Sequence, residues 1–411
     1  MDCMRCQGRL YSKPLRCGKD KCPIYEKVSM FKVKRVEDKE FSGKAPSVFV
    51  GRYNYPNINV GVLSTPEVGD EAWMLDAPSF WGKNSFDSNK IINFRNSLIN
   101  SRFKVHTKST HNKFLEETQL ISLASRPVDL VVELENKPVY QMKVNDVLMP
   151  MGPRANLRKF ILSSNPYVKR KIDTVVSDTD LKAVKGLERL YKKGVDENDL
   201  SKILSLGNLG VKRSRRLVPT RWSITATHDS LGKYLISNIK SFKETGYRLY
   251  FGGYLGNYYL ILVFSDVWSF ELFEMYLPNS LMNDSNEMKF CTDHEFYSGR
   301  KTYASNCVGG YYNCRFAVTE KLNELKRQGS VLVLRFITNE YKVPLGSWVC
   351  TEATKKAIGS IPLDFSSREE LVDAAQKLSL ERLKCDISDI LKQSKVLNQI
   401  KTQKKLKDFF T

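Results

Sequence analysis

Two stretches in the second half of the chain constrain its fold more than anything else in it. Residues 258–264, Tyr-Tyr-Leu-Ile-Leu-Val-Phe, and residues 331–337, Val-Leu-Val-Leu-Arg-Phe-Ile, carry apolar or aromatic side chains on both faces of an extended chain, interrupted only by Arg335. Such runs are too apolar for an edge strand and read as strands buried inside a sheet. Residues 267–277 are a less regular third strand. Around them the hydrophobic period changes to that of helices. Asn89 is placed to cap a helix through about Phe103, and residues 113–125 repeat the same period. Helices are expected at 179–193 and 197–206, ended by Gly194 and Gly207, and from Asp229 or Ser230 to Thr245, with Leu231, Leu235, Ile239 and Phe242 inward. A further helix ends at Gly329, and Ser367-Arg-Glu-Glu370 is a capping box that opens an amphipathic helix reaching Leu391. Residues 46–61 alternate β-type runs with Gly and Pro, exposing tyrosines and Arg52, and residues 128–134 and 139–144 flank a turn as a hairpin. The expected class is mixed α/β (α+β).

A chain of 411 residues, 42% hydrophobic and 11% aromatic, can bury the core of one large or two medium domains. Its 65 lysines and arginines against 45 acidic residues leave a net charge of +20, which suits a protein that works against a polyanion, nucleic acid first. No apolar run approaches the ~20 residues that span a bilayer, and the amino end lacks a signal-peptide core. A cytoplasmic, nucleoid-associated location and no membrane partner are expected.

Four of the nine cysteines fall within the first 22 residues. Cys3-x2-Cys6 and Cys17-x4-Cys22 are two thiolate pairs, each able to deliver both sulfurs to one ion from one loop. Four thiolates without a nearby histidine suit a closed tetrahedral structural zinc site. So short a segment would draw its folding free energy from the metal. The remaining cysteines, Cys291, Cys307, Cys314, Cys350 and Cys385, read as small buried hydrophobes.

Between Pro153 and Arg216 basic residues gather in clusters. The densest is Lys212, Arg213, Arg215 and Arg216, as expected of a loop that touches phosphates. Immediately after it, residues 218–229 join Arg221, Trp222, several hydroxyls, His228 and Asp229. Arg221 is suited to clamping phosphate and Trp222 to stacking on a base, while a core tryptophan and a helix cap are the plainer readings of Trp222 and Asp229. No phosphate-loop, dinucleotide, nucleophile-elbow or His-Glu-x-x-His pattern occurs, so no nucleophile is nominated.

At the carboxyl end, Gln403, Leu406, Phe409 and Phe410 are spaced so that one helical turn presents the three apolar anchors together. Lysines surround them. The arrangement Gln-x-x-aliphatic-x-x-aromatic-aromatic resembles the peptide by which replication and repair proteins hook onto the DNA sliding clamp (PCNA).

The four-cysteine knuckle, the stretch Val-Phe-Val-Gly-Arg-Tyr-x-Tyr-Pro from Val48 to Pro56, the Val-Pro-Thr-Arg-Trp from Val218 to Trp222 and the terminal peptide together resemble the Nre family of archaeal DNA repair proteins, over nearly the whole chain. The resemblance implies a role in repairing damaged DNA and contact with the archaeal clamp through the tail. It implies no reaction.

The expected organisation is a zinc finger over 1–26, a basic core with a first lobe over 40–278 and a second over 289–365, an amphipathic helix over 367–391, a tether over 392–402 and the clamp peptide over 403–411. The leading function is a DNA-binding repair protein recruited by the clamp. Two alternatives stay open. One is a repair enzyme, either a metal-dependent nuclease built on Asp129 and Glu135 or a base- or nucleotide-modifying enzyme built on residues 221–229. The other is an RNA-associated zinc protein, since charge alone does not separate RNA from DNA.

Overall fold

The computed structural model describes residues 36, 38–66, 69–109, 112–139, 152–281, 283 and 285–403. The knuckle cysteines Cys3, Cys6, Cys17 and Cys22 and the clamp anchors Leu406, Phe409 and Phe410 lie outside them. The chain divides into two compact units, Met1–Leu231 with Val343–Gly346, and Gly232–Lys342 with Ser347–Thr411.

The first unit is built on a five-stranded barrel of β1 (Glu40–Val50), β2 (Asn57–Thr65), β3 (Ile99–His106), β4 (Val128–Leu134) and β5 (Arg154–Leu162), closed in the order β1-β2-β3-β5-β4. All neighbours are antiparallel except β3 and β5, which run parallel. β1 closes the ring by pairing its first half with β4 and its second half with β2. An irregularity between Lys44 and Ser47 makes the change possible. Before it Phe41 and Ala45 point inward; after it Val48 and Val50 do, because the extra residue flips the alternation. Ile58, Val60, Val62, Phe103, Val105, Leu130, Val132, Leu157 and Phe160 fill the interior. Helices α1 (Pro78–Lys83) and α2 (Ser88–Asn96) are inserted between β2 and β3. Between β3 and β4 the helix α3 (Lys113–Leu123) sets Leu115 and Ile121 into the barrel core, with the Phe114 ring 5.6 Å from Phe103 and 5.7 Å from Phe160. Helices α4 (Arg170–Val176), α5 (Ala183–Lys192) and α6 (Glu197–Ser205) follow β5.

Several expectations change here. The helix expected from Asn89 to Phe103 is capped by Asp87 and ends at Asn96. From Ile99 the period is two, with Ile99, Ser101, Phe103 and Val105 inward, because β3 completes the barrel. β4 pairs with β1 along one edge and with β5 along the other; residues 140–144, expected as its hairpin partner, lie outside the described residues. Helix α7 (Thr220–Ile239) starts nine residues before Asp229: the Pro219 carbonyl accepts from the Trp222 and Ser223 N–H groups and closes the first turn there.

In the second unit a six-stranded sheet runs β11-β6-β7-β10-β8-β9, where β6 is Tyr247–Tyr254, β7 Asn257–Phe264, β8 Ser269–Tyr276, β9 Lys289–Glu295, β10 Ser330–Ile337 and β11 Leu363–Phe365. The apolar runs at 258–264 and 331–337 are β7 and β10, adjacent at the centre. Helices α8 (Gly310–Leu325) and α9 (Trp348–Ile358) pack on the sheet, as do α10 (Arg368–Leu383), α11 (Ser388–Gln393) and α12 (Lys395–Thr402). Leu371, Ala375, Ile390 and Leu397 share one core with Leu260, Leu262, Phe273, Leu332 and Phe336. The Ser367 hydroxyl accepts from the Glu370 N–H and so caps the helix, while the Glu370 carboxylate accepts from the Ser366 N–H, one residue before the cap; the helix stops at Leu383, where Lys384 turns left-handed.

Two boundaries also change. Residues 278–288, expected to lie between the lobes, join β8 to β9, which pair in one sheet; the division between the units falls inside α7 instead. Residues 392–402 are no tether. They contain α12, whose Val396 and Leu397 are buried against the sheet.

Candidate nucleic-acid interface

Strand order 1-2-3-5-4, a parallel β3–β5 pair and a helix between β3 and β4 are the topology of the OB barrel, in which the β2–β3 face and the β1–β2 loop receive oligonucleotides or oligosaccharides. The outward residues of that face form cross-strand pairs Asn57 with His106, Asn59 with Lys104 and Gly61 with Arg102. Beyond β3, the parallel β5 sets Arg154 beside Asn100 and Asn156 beside Arg102. Four basic side chains, Lys104, His106, Arg102 and Arg154, thus share a surface whose other outward pairs are amides. Burial and the charge of Arg154 both disfavour the protonated Arg102 guanidinium. Its Nε is buried without a hydrogen-bond partner, as is Asn100 Oδ1. Gly61 belongs to the same geometry, because a Cβ there would stand 1.9 Å from Asn100 Oδ1.

The rim of this face is made by segments far apart in sequence. Loop 51–56, joining β1 to β2, exposes Tyr53 at 59% and Tyr55 at 47%, and Arg52 stacks over the Tyr53 ring at 5.3 Å. The Tyr55 ring lies 5.3 Å from that of Trp222, itself 46% exposed on the first turn of α7. Hydrogen bonds stitch the contact: the Val50 N–H donates to Thr220 Oγ1 at 2.9 Å, the Leu217 N–H to the Thr107 carbonyl at 2.9 Å, and the Thr107 N–H to the Pro56 carbonyl at 3.0 Å. Three exposed rings with Arg52, Arg216, Arg221 and Lys108 at one edge of a basic sheet can do two things chemically. They can stack on bases and neutralise phosphates.

Other residues singled out in the sequence fare unequally. Lys212 and Arg213 are exposed on a 3₁₀ turn, Lys212–Ser214, and Arg216 is exposed beyond it. Arg215 is committed to the fold instead. Its guanidinium donates to the carbonyls of Val176 at 2.7 Å, Gly210 at 2.8 Å and Asp178 at 3.4 Å. Arg221 and Trp222 are exposed, whereas His228, two helical turns on, is buried; the cation, indole and imidazole of residues 221–229 do not converge. Asp129 and Glu135 stand six residues apart along and just past β4, about 20 Å at ~3.3 Å per residue, too far to share one ion. Asp129 pairs with Lys44 at 3.6 Å. Gln403 is exposed just past α12. The aromatic rim was not assembled from sequence. Its components were legible as exposed tyrosines and as an Arg-Trp pair, but nothing in a single sequence said that residues 55 and 222 meet.

Topology and rim define a class: the first unit is an OB-type barrel joined in one chain to a unit built on a mixed, helix-covered sheet. Comparison with known proteins gives the family. Family models described as "Archaeal Nre, N-terminal" and "Archaeal Nre, C-terminal" match residues 16–283 and 295–409. The chain is similar to DNA repair protein NreA of Haloferax volcanii, 33% identical over 373 residues, which is 89% of this chain and 88% of that protein. It is similar at 33% over 381 residues to NreB of Archaeoglobus fulgidus, also named a DNA repair protein, with 92% of this chain and 93% of the relative covered. It is 34% identical to NreA of that organism over 378 residues, 91% and 93% of the two chains. The chain therefore belongs to the archaeal Nre family. No solved structure matches it significantly. Among the described residues no helix is long and apolar enough to cross a membrane.

Proposed function

We propose that this protein is a DNA repair factor that holds single-stranded DNA across the β2–β3 face of the barrel in its first unit and is brought to its site of action by the sliding clamp. The observation that carries the DNA-binding reading is the meeting of Tyr55 with Trp222 at the edge of the surface made by Arg102, Lys104, His106 and Arg154. Exposed rings suit unpaired bases, whose faces a duplex hides. The repair role is carried over from the relatives, which are named DNA repair proteins.

Recruitment rests on Gln403, Leu406, Phe409 and Phe410. A peptide tethered to a core that itself touches DNA raises the local concentration of that core, so each contact can be weak alone. The proposed structural zinc, held by Cys3, Cys6, Cys17 and Cys22, folds a basic segment: residues 1–44 carry twelve Lys or Arg against six acidic residues. That segment would add phosphate contacts.

Fluorescence anisotropy with labelled single-stranded DNA, duplex DNA and RNA of one sequence tests the reading. Tightest binding to single-stranded DNA, weakened when Tyr55 and Trp222 are replaced by Ala, is expected. Equal affinity for all three, unaffected by those changes, would remove the barrel from the function.

A further inference from the structure

The sheet of the second unit holds a cluster that the nucleic-acid reading leaves unused. Cys291 on β9 is paired in register with Glu274 on β8, so their side chains stand side by side on one face. Cys307, three residues before α8, comes down beside them. Its sulfur lies 3.5 Å from Cys291 Sγ, and Cys291 Sγ lies 3.9 Å from Glu274 Oε2. The three donor atoms all fall within 4.8 Å of one another.

We propose that Cys291, Cys307 and Glu274 form a binding site for a soft divalent cation of the zinc class, distinct from the amino-terminal knuckle. Two sulfurs about 2.3 Å from a tetrahedral ion stand about 3.8 Å apart, close to the spacing found here. The donor set is selective, because a thiolate pair favours zinc-class ions over magnesium or calcium, which take oxygen. Charge balances as well. Two thiolates and a carboxylate bring three negative charges, and a divalent ion together with the buried Arg335 guanidinium brings three positive ones. Arg335 Nη1 donates to Glu274 Oε1 at 2.5 Å, which leaves Oε2 turned toward the sulfurs, and the Tyr276 hydroxyl donates to Oε2 at 3.3 Å. Such outer partners are what orient a ligating carboxylate.

The backbone at Cys307 is fixed independently of its sulfur. Asp293 Oδ2 accepts from the N–H groups of Asn306 at 2.9 Å and Cys307 at 2.8 Å, and Arg300 pairs with the other oxygen of Asp293 at 3.1 Å. Cys291 is only half-buried on the edge strand, so an ion has a way in. Three protein donors leave one position of a tetrahedron for water or another small ligand, the arrangement of an open site. Binding replaces two thiol protons by the ion and releases both.

Cobalt titration of the reduced full chain and of the double variant Cys291→Ser, Cys307→Ser tests the site without disturbing the knuckle. The unaltered chain is expected to take up one more equivalent of Co2+ than the variant, with stronger thiolate-to-cobalt absorption. Equal uptake by the two chains would overturn the proposal. Should the variant fail to fold, alkylation of Cys291 in the unaltered chain, read by peptide mass, decides it. Protection of at least tenfold by Cd2+ over chelator is expected, and no protection overturns the site. A Cys291–Cys307 disulfide in the purified chain that takes up no metal after reduction also overturns it.

Discussion

Ser394 and Glu271 meet beneath the first turn of α12: the Ser394 hydroxyl donates to Glu271 Oε2 at 2.5 Å, while the N–H groups of Val396 and Lys395 donate to the same carboxylate at 3.0 and 3.1 Å. Glu271 is fully buried on β8, so a carboxyl group inside the second unit caps the last described helix from below. Replacing Glu271 by Gln leaves at least one of those donors unmatched, at a cost of about 1–3 kcal/mol. Urea unfolding should show the loss. Hydrogen exchange should show it first at residues 395–402, and unchanged protection there would mean that apolar packing alone holds α12.

Asp76 carries the clearest pH dependence. Burial alone would raise its pKa, but the charges of Arg95, 2.7 Å away, and Lys202 outweigh burial and hold it below its ordinary value of 3.8. A depressed folded-state value stabilises the fold above the unfolded value, and that stabilisation is lost as pH falls through the folded one. Asp76→Asn strands the buried Arg95 and should cost about 3–5 kcal/mol at neutral pH. Melting curves of wild type and variant should converge only well below pH 4. A constant gap across that range would assign the effect to packing.

Arg215 separates scaffold from binding within one cluster. Its three bonds to backbone carbonyls predict that Arg215→Ala lowers stability by about 1.5–3 kcal/mol, the range for hydrogen bonds to charged groups. Lys212→Ala with Arg213→Ala should leave the melting temperature alone and shallow the salt dependence of DNA affinity by up to about two phosphate contacts. The reverse pattern would put Lys212 and Arg213 in the scaffold and Arg215 on the DNA.

The proposed stacking of bases at the rim carries a magnitude. Trp222→Ala should weaken single-strand binding by about 1–3 kcal/mol, the range for one stacked base. Tyr55→Ala should do less than its own full share in the Trp222→Ala background, since the two rings touch. Strict additivity in such a cycle would mean that they act on separate nucleotides.

For the tail, Phe409→Ala with Phe410→Ala removes two aromatics worth about 1.5–3 kcal/mol each when buried. Clamp affinity should fall at least tenfold at ~1.4 kcal/mol per decade, with the melting temperature unchanged. Wild-type clamp binding by that chain would defeat the recruitment proposal.

What could be read from the sequence depended on the range over which each residue's fate is decided. The buried strands at 258–264 and 331–337, the helix cap at Ser367 and the helices ending near Gly194 and Gly207 are settled within a turn or two, and they stand in the structure. The stretch after Asn96 escaped that reading, because Ile99 and Phe103 suit a helix face as well as a strand, and only pairing with β2 and β5 selects the strand. Residues 392–402 looked polar enough to be free. Their buried counter-group, Glu271, lies more than a hundred residues earlier. The rim was legible as separate pieces, Tyr53, Tyr55, Arg221 and Trp222, but not as a place.

The double pairing of β1 has a consequence for how this barrel can change. One strand both locks the ring and delivers the loop at 51–56, yet the lock is set before residue 50, at the irregularity between Lys44 and Ser47. Lengthening or recolouring the loop leaves every rung of the ladder in register, whereas a one-residue slip at the irregularity would turn Val48 and Val50 out to water. The lip is thereby free to drift while closure is not: under the proposed function, a preference for one nucleic acid over another can be rewritten at the lip without renegotiating the vessel.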